Sequence, residues 1–203
     1  DWSSDVCSSD LKKYADSRIV VFSTGNVYPF WPATSRGPHE GDPVGPVGEY
    51  AQSCLGRERV FEAAAMRGAK VAIVRLNYAI DLRYGVLTDL ASRILAGEPV
   101  SLAMGHVNVI WQGDAVAHTI QSLELAGSPA VPLNVTGPDT LVVREIATRF
   151  AELLDLPAKL TGKEADTAWL NNASHSHRVL GAPTVSVDNM MIWIADWLRG
   201  GGT

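Results

Sequence analysis

The chain of 203 residues lacks the features that mark several large classes of protein. Its two cysteines, Cys7 and Cys54, are too few for a disulfide framework and favour a reducing compartment, so we expect a cytoplasmic location. It has no apolar run of about eighteen residues, which predicts no membrane span. It also has no cluster of lysine and arginine, which argues against a nucleic-acid partner. The expected partner is a small molecule.

Two site motifs are also missing. The five histidines show no metal-ligand spacing beyond His175 and His177, which we expect on a solvated loop, so no metal site is predicted. No Gly-x-Gly-x-x-Gly or Gly-x-x-Gly-x-x-Gly pattern follows a strand. The loop that would cradle a dinucleotide pyrophosphate is therefore absent from this chain.

Residues 1–11 form a segment of unusual composition, with three aspartates, four serines and no periodicity. They can be back-translated into a sequence that resembles a common sequencing-library adaptor. We interpret them as an artefactual, disordered arm, with a natural disordered arm as the alternative. On the first interpretation the remaining domain, residues 12–203, is expected to have lost its true N-terminal portion.

The rest of the chain has the composition of a globular protein, with 46% hydrophobic and 19% charged residues, and we expect one domain. The apolar run from Ile19 to Phe22 predicts a strand buried on both faces, and Lys70 to Leu76 predicts a second. A helix from about Glu49 to Arg67 connects them, which makes a parallel βαβ unit. Further predicted elements are strands at 107–111 and 131–135, helices at 86–96, 114–126, 142–154 and 187–198, and a Pro/Gly-rich loop at 29–48.

Within the first helix, an apolar stripe is expected to pack on the sheet and a charged face to contact water. The stripe comprises Val60, Phe61, Ala64 and Ala65, and the charged face comprises Arg57, Glu58, Arg59 and Glu62. Asp114 is expected to be the N-cap of a later helix.

Five short pieces, in this order and spacing, resemble the extended short-chain dehydrogenase/reductase family, the NAD-dependent epimerase/dehydratases. The resemblance covers about residues 18 to 199. The pieces are Ser23-Thr24-Gly25-Asn26-Val27-Tyr28, Tyr50-Ala51-Gln52-Ser53, Val74-Arg75-Leu76-Asn77, the segment 107–116, and Asn134-Val135-Thr136-Gly137-Pro138.

The resemblance implies an α/β fold: the C-terminal part of a Rossmann-like doubly wound parallel sheet, with a small mixed α/β substrate-binding region. It implies NAD or NADP as the cofactor and a carbinol or carbonyl substrate, sugar-like in many relatives. A homodimer through the Tyr50 helix of the intact protein is left open. Gly25 and Asn26 stand where 4,6-dehydratases of the family carry an Asp-Glu pair, which argues against that elimination.

By the same resemblance, Tyr50 is the catalytic acid/base and Thr24 orients the substrate oxygen. A phenol with an ordinary pKa of about 10 needs a nearby cation to ionise near neutral pH. The family places a lysine four residues after the tyrosine, and this sequence has Cys54 there. Arg57, near the same helical face, is the candidate substitute cation.

The remaining implied contacts fall into two sets. The cofactor set is Phe22, Ser23, Tyr50, Leu76 and Asn77, and the substrate set is Thr24, Gly25, Asn26, Asn77, Arg83 and Trp111.

Two functions remain open at this point. One is an oxidoreductase with Tyr50 as acid/base, and the other is a non-catalytic NAD(P)-binding or regulatory protein that has lost the lysine. We expect the 203-residue chain by itself to be inactive, because the first strands of a complete sheet would be missing and the Ile19 strand would have a free edge.

Overall fold

The computed structural model describes residues 11, 13, 14 and 16–202. The segment interpreted as an arm therefore lies outside the described residues, except for Leu11. Among the described residues, no helix is long and apolar enough to cross a membrane.

A parallel sheet of three strands forms the centre of the fold. β1 (Arg18–Thr24) pairs with β3 (Lys70–Leu76), and β3 pairs on its other side with β8 (Val131–Val135). Thr24 is paired with Leu76, and Leu76 with Val135, so the three carboxyl ends lie at one edge. In open parallel sheets, ligands bind where the carboxyl ends of the strands meet. We call this the carboxyl edge of the sheet.

In the described part of the chain, six helices surround the sheet and the region that follows it. They are α1 (Glu49–Ala65), α2 (Val86–Leu95), α3 (Gln112–Gln121), α4 (Val143–Leu154), α5 (Ser174–Leu180) and α6 (Val187–Arg199). The short strands are β2 (Trp31–Pro32), β4 (Ala79–Ile80), β5 (Pro99–Ser101), β6 (His106–Val107), β7 (Ile110–Trp111), β9 (Leu141–Val142), β10 (Lys159–Thr161) and β11 (Thr167–Ala168). The largest apolar core lies among α2, α4 and α6, and a smaller one lies between α1 and the sheet. The predicted α/β class is therefore confirmed.

β1 differs from its prediction. We expected a strand buried on both faces, but Val21 is buried while Phe22 is 49% exposed. In the described part of the chain β1 pairs only with β3, so it forms the edge of the sheet. An edge strand has fewer neighbours to cover its side chains.

Three other predictions were wrong in detail. The single strand at 107–111 is two short strands, β6 and β7, with different partners. The loop at 29–48 contains β2, which pairs with β11. His175 and His177 lie in helix α5 rather than on a solvated loop, and His177 bonds to the Thr136 carbonyl.

The prediction for Glu58 was also wrong, because this residue is fully buried. Its carboxylate accepts two hydrogen bonds from the Arg75 guanidinium, at 3.0 and 2.7 Å, and a third from the Ser23 hydroxyl. Arg75 also donates to the Tyr28 hydroxyl at 2.7 Å, and Tyr28 donates to Asn134 at 3.0 Å. This network joins α1 to all three strands of the sheet.

The charges in this network are satisfied by their partners. Burial disfavours the Arg75 charge, but the hydrogen bonds to Glu58 and Tyr28 outweigh it and hold the pKa of Arg75 above its usual value. Burial raises the pKa of Tyr28, so its phenol stays protonated and can donate to Asn134. Removing one member would leave an uncompensated buried charge.

We therefore predict that Glu58→Ala lowers the free energy of unfolding by about 3–5 kcal/mol, measured by urea denaturation. The control is Glu62→Ala in the same helix. Glu62 pairs with Arg59 at 2.6 Å on the surface, and an exposed pair of this kind contributes about 1 kcal/mol or less. Equal losses for the two variants would contradict the importance of the buried network.

Asp114 is not an N-cap, because it lies inside the first turn of α3. Its buried carboxylate accepts hydrogen bonds from the Thr184 hydroxyl at 2.7 Å and from the backbone N–H groups of Thr184 and Val185 at 3.1 and 3.0 Å. Burial opposes the charge, but these hydrogen bonds outweigh it and lower the pKa of Asp114. Asp114 thus fixes the 184–185 segment to α3.

Because the folded-state pKa of Asp114 is depressed, its contribution is complete above the unfolded pKa of about 4 and is lost as the pH falls through the folded value. We predict that Asp114→Asn lowers the free energy of unfolding at pH 7 by about 1–3 kcal/mol. The variant should also lose less stability than the parent between pH 5 and pH 3. Asp89→Asn, at an exposed position in the first turn of α2, serves as the control. An identical acid response in parent and Asp114→Asn would contradict this role.

Candidate functional site

Thr24 and Tyr50 lie next to each other at the carboxyl edge of the sheet. Thr24 is the last residue of β1, and its hydroxyl accepts a hydrogen bond from the Asn26 N–H at 3.2 Å. Tyr50 is the second residue of α1. The buried Thr24 side chain lies close enough to the Tyr50 phenol to lower its pKa. The structure thus brings together the two residues predicted to act on a substrate oxygen.

Cys54 lies one helical turn after Tyr50 on the buried face of α1 and is 2% exposed, as is common for a free cysteine. Its thiol lies close enough to the Tyr50 phenol to raise the pKa of that group. Arg57, the predicted substitute cation, donates to the Phe22 carbonyl at 2.9 Å. Its charge still acts on Tyr50, but more weakly than Cys54 does.

The balance of these effects raises the pKa of Tyr50. Partial burial of the phenol is the largest cause, followed by the electrostatic influence of Cys54. The Thr24 side chain and the Arg57 charge lower the pKa, but they do not compensate. The phenol is therefore protonated near neutral pH, although 64% of the residue is exposed and open to a ligand.

Gly25 follows Thr24 and lies under two carboxamides. A Cβ added at Gly25 would stand 2.5 Å from Asn171 Oδ1, 2.8 Å from Asn171 Nδ2 and 2.8 Å from Asn77 Oδ1. Glycine is therefore required here by close approach. Both asparagines are buried.

The other predicted site residues lie in several places. The Phe22 side chain is on the exposed edge of β1, and the Ser23 hydroxyl is occupied by Glu58. Leu76 ends β3 directly opposite Thr24. The Arg83 side chain is 71% exposed beside Asp81. Trp111, expected to form a pocket wall, packs edge-on against Trp193 of α6 at a ring-centroid distance of 5.3 Å.

A cavity of about 250 Å³ lies between α5, the segment before it, and residues Arg36 and Pro138. It is lined by Arg36, Pro138, Asn171, Asn172, Ala173, Ser174 and His177. A second cavity of about 330 Å³ lies between the 137–141 and 183–187 segments and is more apolar. Asn171 thus faces both Gly25 and the first cavity.

The sequence prediction missed Asn171 and the network of Glu58. For Glu58 a signal existed, because Ala51, Cys54 and Glu58 recur at helical spacing on one face of α1, and all three are buried. For Asn171 no local signal existed. It comes to the site only because the segment after β11 folds back over Gly25.

Several solved structures are similar to this chain in fold. MoeE5 in complex with UDP-glucose and NAD has 19% sequence identity and a TM-score of 0.78 over 95% of this chain and 68% of its own. The UDP-glucose 4-epimerase of Thermus thermophilus, in complex with NAD, has 21% identity and a TM-score of 0.79 over 95% of this chain and 67% of its own. The chain shares the fold of these NAD-bound proteins.

A superfamily protein from Agrobacterium tumefaciens with bound NAD covers 99% of this chain and 77% of its own, with 15% identity and a TM-score of 0.76. No protein-family model and no curated protein matches the sequence. At these identities the likeness shows the fold alone. The predicted fold is confirmed, and the roles of the site residues stay predictions.

The position of Cys54 generates a prediction that needs no substrate. In this fold Cys54→Lys places an ammonium group beside Tyr50 and should lower the pKa of its phenol, whereas Arg57→Ala should raise it further. Tyrosinate absorbance, recorded as a pH titration and corrected with Tyr50→Phe, measures the pKa. An unchanged Tyr50 pKa in Cys54→Lys would show that the two side chains do not interact.

Proposed function

We propose that this chain is part of an NAD(P)-dependent oxidoreductase of the epimerase/dehydratase type, which acts on a carbinol or carbonyl of a sugar-like small molecule. The observation that carries the proposal is the placement of Thr24 at the carboxyl end of β1, close enough to Tyr50 at the start of α1 to affect the pKa of its phenol. The solved structures of this fold in complex with NAD, two of them sugar-nucleotide proteins, support it.

The residues at this edge fit a dinucleotide in part. Leu76 ends β3 opposite Thr24, and Asn77 follows it. The buried Asn77 Nδ2 has no hydrogen-bond partner among the described residues, so it is available to a bound group. Cys54 does not fit, because a thiol supplies no positive charge. A nicotinamide dinucleotide, when bound, supplies the acceptor or donor of hydride.

The chain's own residues would handle the proton. Thr24 would orient the substrate oxygen by a hydrogen bond, and Tyr50 would take the hydroxyl proton in oxidation and return it in reduction. Since the pKa of Tyr50 is raised, only a small fraction is phenolate at pH 7. Oxidation by this site should therefore become faster as the pH rises into the alkaline range.

We predict that Tyr50→Phe lowers the turnover number by about 10²–10⁴-fold. The assay follows dinucleotide absorbance with a panel of sugars and carbonyl compounds, using protein made from the complete reading frame. Tyr84→Phe is the matched control, because Tyr84 is exposed and bonds to Gln112 instead. Full turnover in Tyr50→Phe would contradict the assigned role.

A second candidate function is supported by Cys54. A protein of this fold with no ammonium group beside the tyrosine could bind NAD(P) without turning over a substrate. In that case the parent would bind NAD(H) by calorimetry and stay inactive with every compound of the panel. An active parent whose Cys54→Lys variant reaches its maximal rate at lower pH would support the enzyme instead.

The cellular location and the oligomeric state of the protein stay predictions. We propose a cytoplasmic location. A homodimer through α1 is left open, because Val60 of this helix and Met66, which directly follows it, are both exposed.

A further inference from the structure

We propose that Asn171 is a specificity residue whose carboxamide binds a hydroxyl group of the substrate, next to the carbon on which Thr24 and Tyr50 act. The proposal rests on the proposed function, since it concerns the same site. The chemical class of the ligand is a compound with a polyhydroxy, sugar-like part, whose uncharged hydroxyl groups contact Asn171.

The first observation is a set of buried polar atoms without partners. Asn171 and Asn77 are each 2% exposed. Both Nδ2 and Oδ1 of Asn171, and Nδ2 of Asn77, form no hydrogen bond within the described residues. A buried amide group left unpaired costs about 1–3 kcal/mol, so three such atoms at one place are a substantial cost to the free protein. A ligand that pairs with them would remove that cost.

The second observation is that the backbone fixes the direction of this side chain. The Asn171 N–H donates to Asn108 Oδ1 at 2.8 Å, and the Asn172 N–H donates to the Pro38 carbonyl at 2.8 Å. The Asn172 carbonyl in turn accepts from Asn134 Nδ2 at 3.0 Å. With the main chain held on both sides, the carboxamide of Asn171 stays over Gly25.

Asn172, the next residue, differs from Asn171 in the hydrogen bonding of its side chain. Asn172 Oδ1 accepts the Ser174 N–H at 3.0 Å, so its side chain has a structural partner at the start of α5. Asn171 has none among the described residues, although it is the more buried of the two. The two adjacent residues therefore provide a matched pair for experiment.

The chemistry of the pair Asn77 and Asn171 selects a class of ligand. A carboxamide offers donors and an acceptor without charge, and a hydroxyl group both donates and accepts. One hydroxyl could thus satisfy a donor and an acceptor at once. A charged group would lose its hydration and gain only dipoles from these two side chains. The site is suited to the hydroxyls of a sugar-like molecule, and Gly25 leaves the space in which the carboxamide lies.

The experiment is a binding cycle that does not depend on turnover. The affinities of UDP-glucose and of its single-deoxy analogues are measured by calorimetry in the presence of NAD, for the parent, Asn171→Ala and Asn172→Ala. We expect Asn171→Ala to weaken UDP-glucose binding about tenfold, which corresponds to one buried hydrogen bond. This loss should disappear for one deoxy analogue, the one that lacks the hydroxyl in contact. Asn172→Ala should show no such dependence on the analogue.

Stability gives the second readout. Asn171→Ala removes no hydrogen bond within the described structure, so its thermal midpoint should match or exceed that of the parent. Asn172→Ala loses the bond to Ser174 and should unfold at a lower temperature. A lower midpoint for Asn171→Ala, an equal penalty with every analogue, or no binding of UDP-glucose by the parent would each overturn the proposal.

The failure of the proposed function would be seen separately. Turnover retained by Tyr50→Phe removes the acid/base assignment and leaves the binding cycle of Asn171 unaffected. A penalty at Asn171 that depends on one hydroxyl, in a protein without turnover, would support the substrate contact and favour the binding function.

Discussion

The buried pair of Glu58 and Arg75 is the interaction on which the arrangement of the site depends. It lies between α1 and the sheet, and through Ser23, Tyr28 and Asn134 it contacts all three parallel strands. Ion pairs in such positions are costly to desolvate and are sensitive to the loss of either partner. Their hydrogen-bond geometry defines how a helix is rotated and shifted against the sheet.

The consequence for the site follows from the helix itself. Tyr50 and Cys54 precede Glu58 on α1 by about two turns and one turn. A helix is rigid over this length, so the pair that positions Glu58 also positions Tyr50 over Thr24. The network reaches the long loop as well, because Glu40 accepts the Asn134 N–H at 2.8 Å and Pro38 accepts from the Asn134 side chain. One polar network therefore holds the tyrosine, the strand ends and the loop that follows Thr24.

Most of this fold could be predicted from local pattern, and the site only in part. β3 and β8 agree with their predicted bounds to the residue, because continuous runs of apolar and β-branched side chains admit few alternatives. The prediction for Glu58 failed because a charged residue on a helix is usually exposed, and only its spacing from Ala51 and Cys54 indicates burial. The contact of Asn171 with Gly25 depends on the path of a distant segment, which no local pattern records.

The likeness to the solved structures concerns the fold. Thr24 and Tyr50 lie close together at the carboxyl end of β1, and the balance of effects on the phenol favours its protonated form. A shared fold does not by itself fix the chemistry of its site.

Arg57 connects the Tyr50 helix to β1, the edge strand of the described sheet. β1 is the edge strand of the described sheet, and exposed strand edges readily recruit strands from other molecules. By donating to the Phe22 carbonyl, the guanidinium occupies one acceptor on β1 and places a charged side chain against it. The arginine that acts weakly on the Tyr50 phenol therefore also joins α1 to β1.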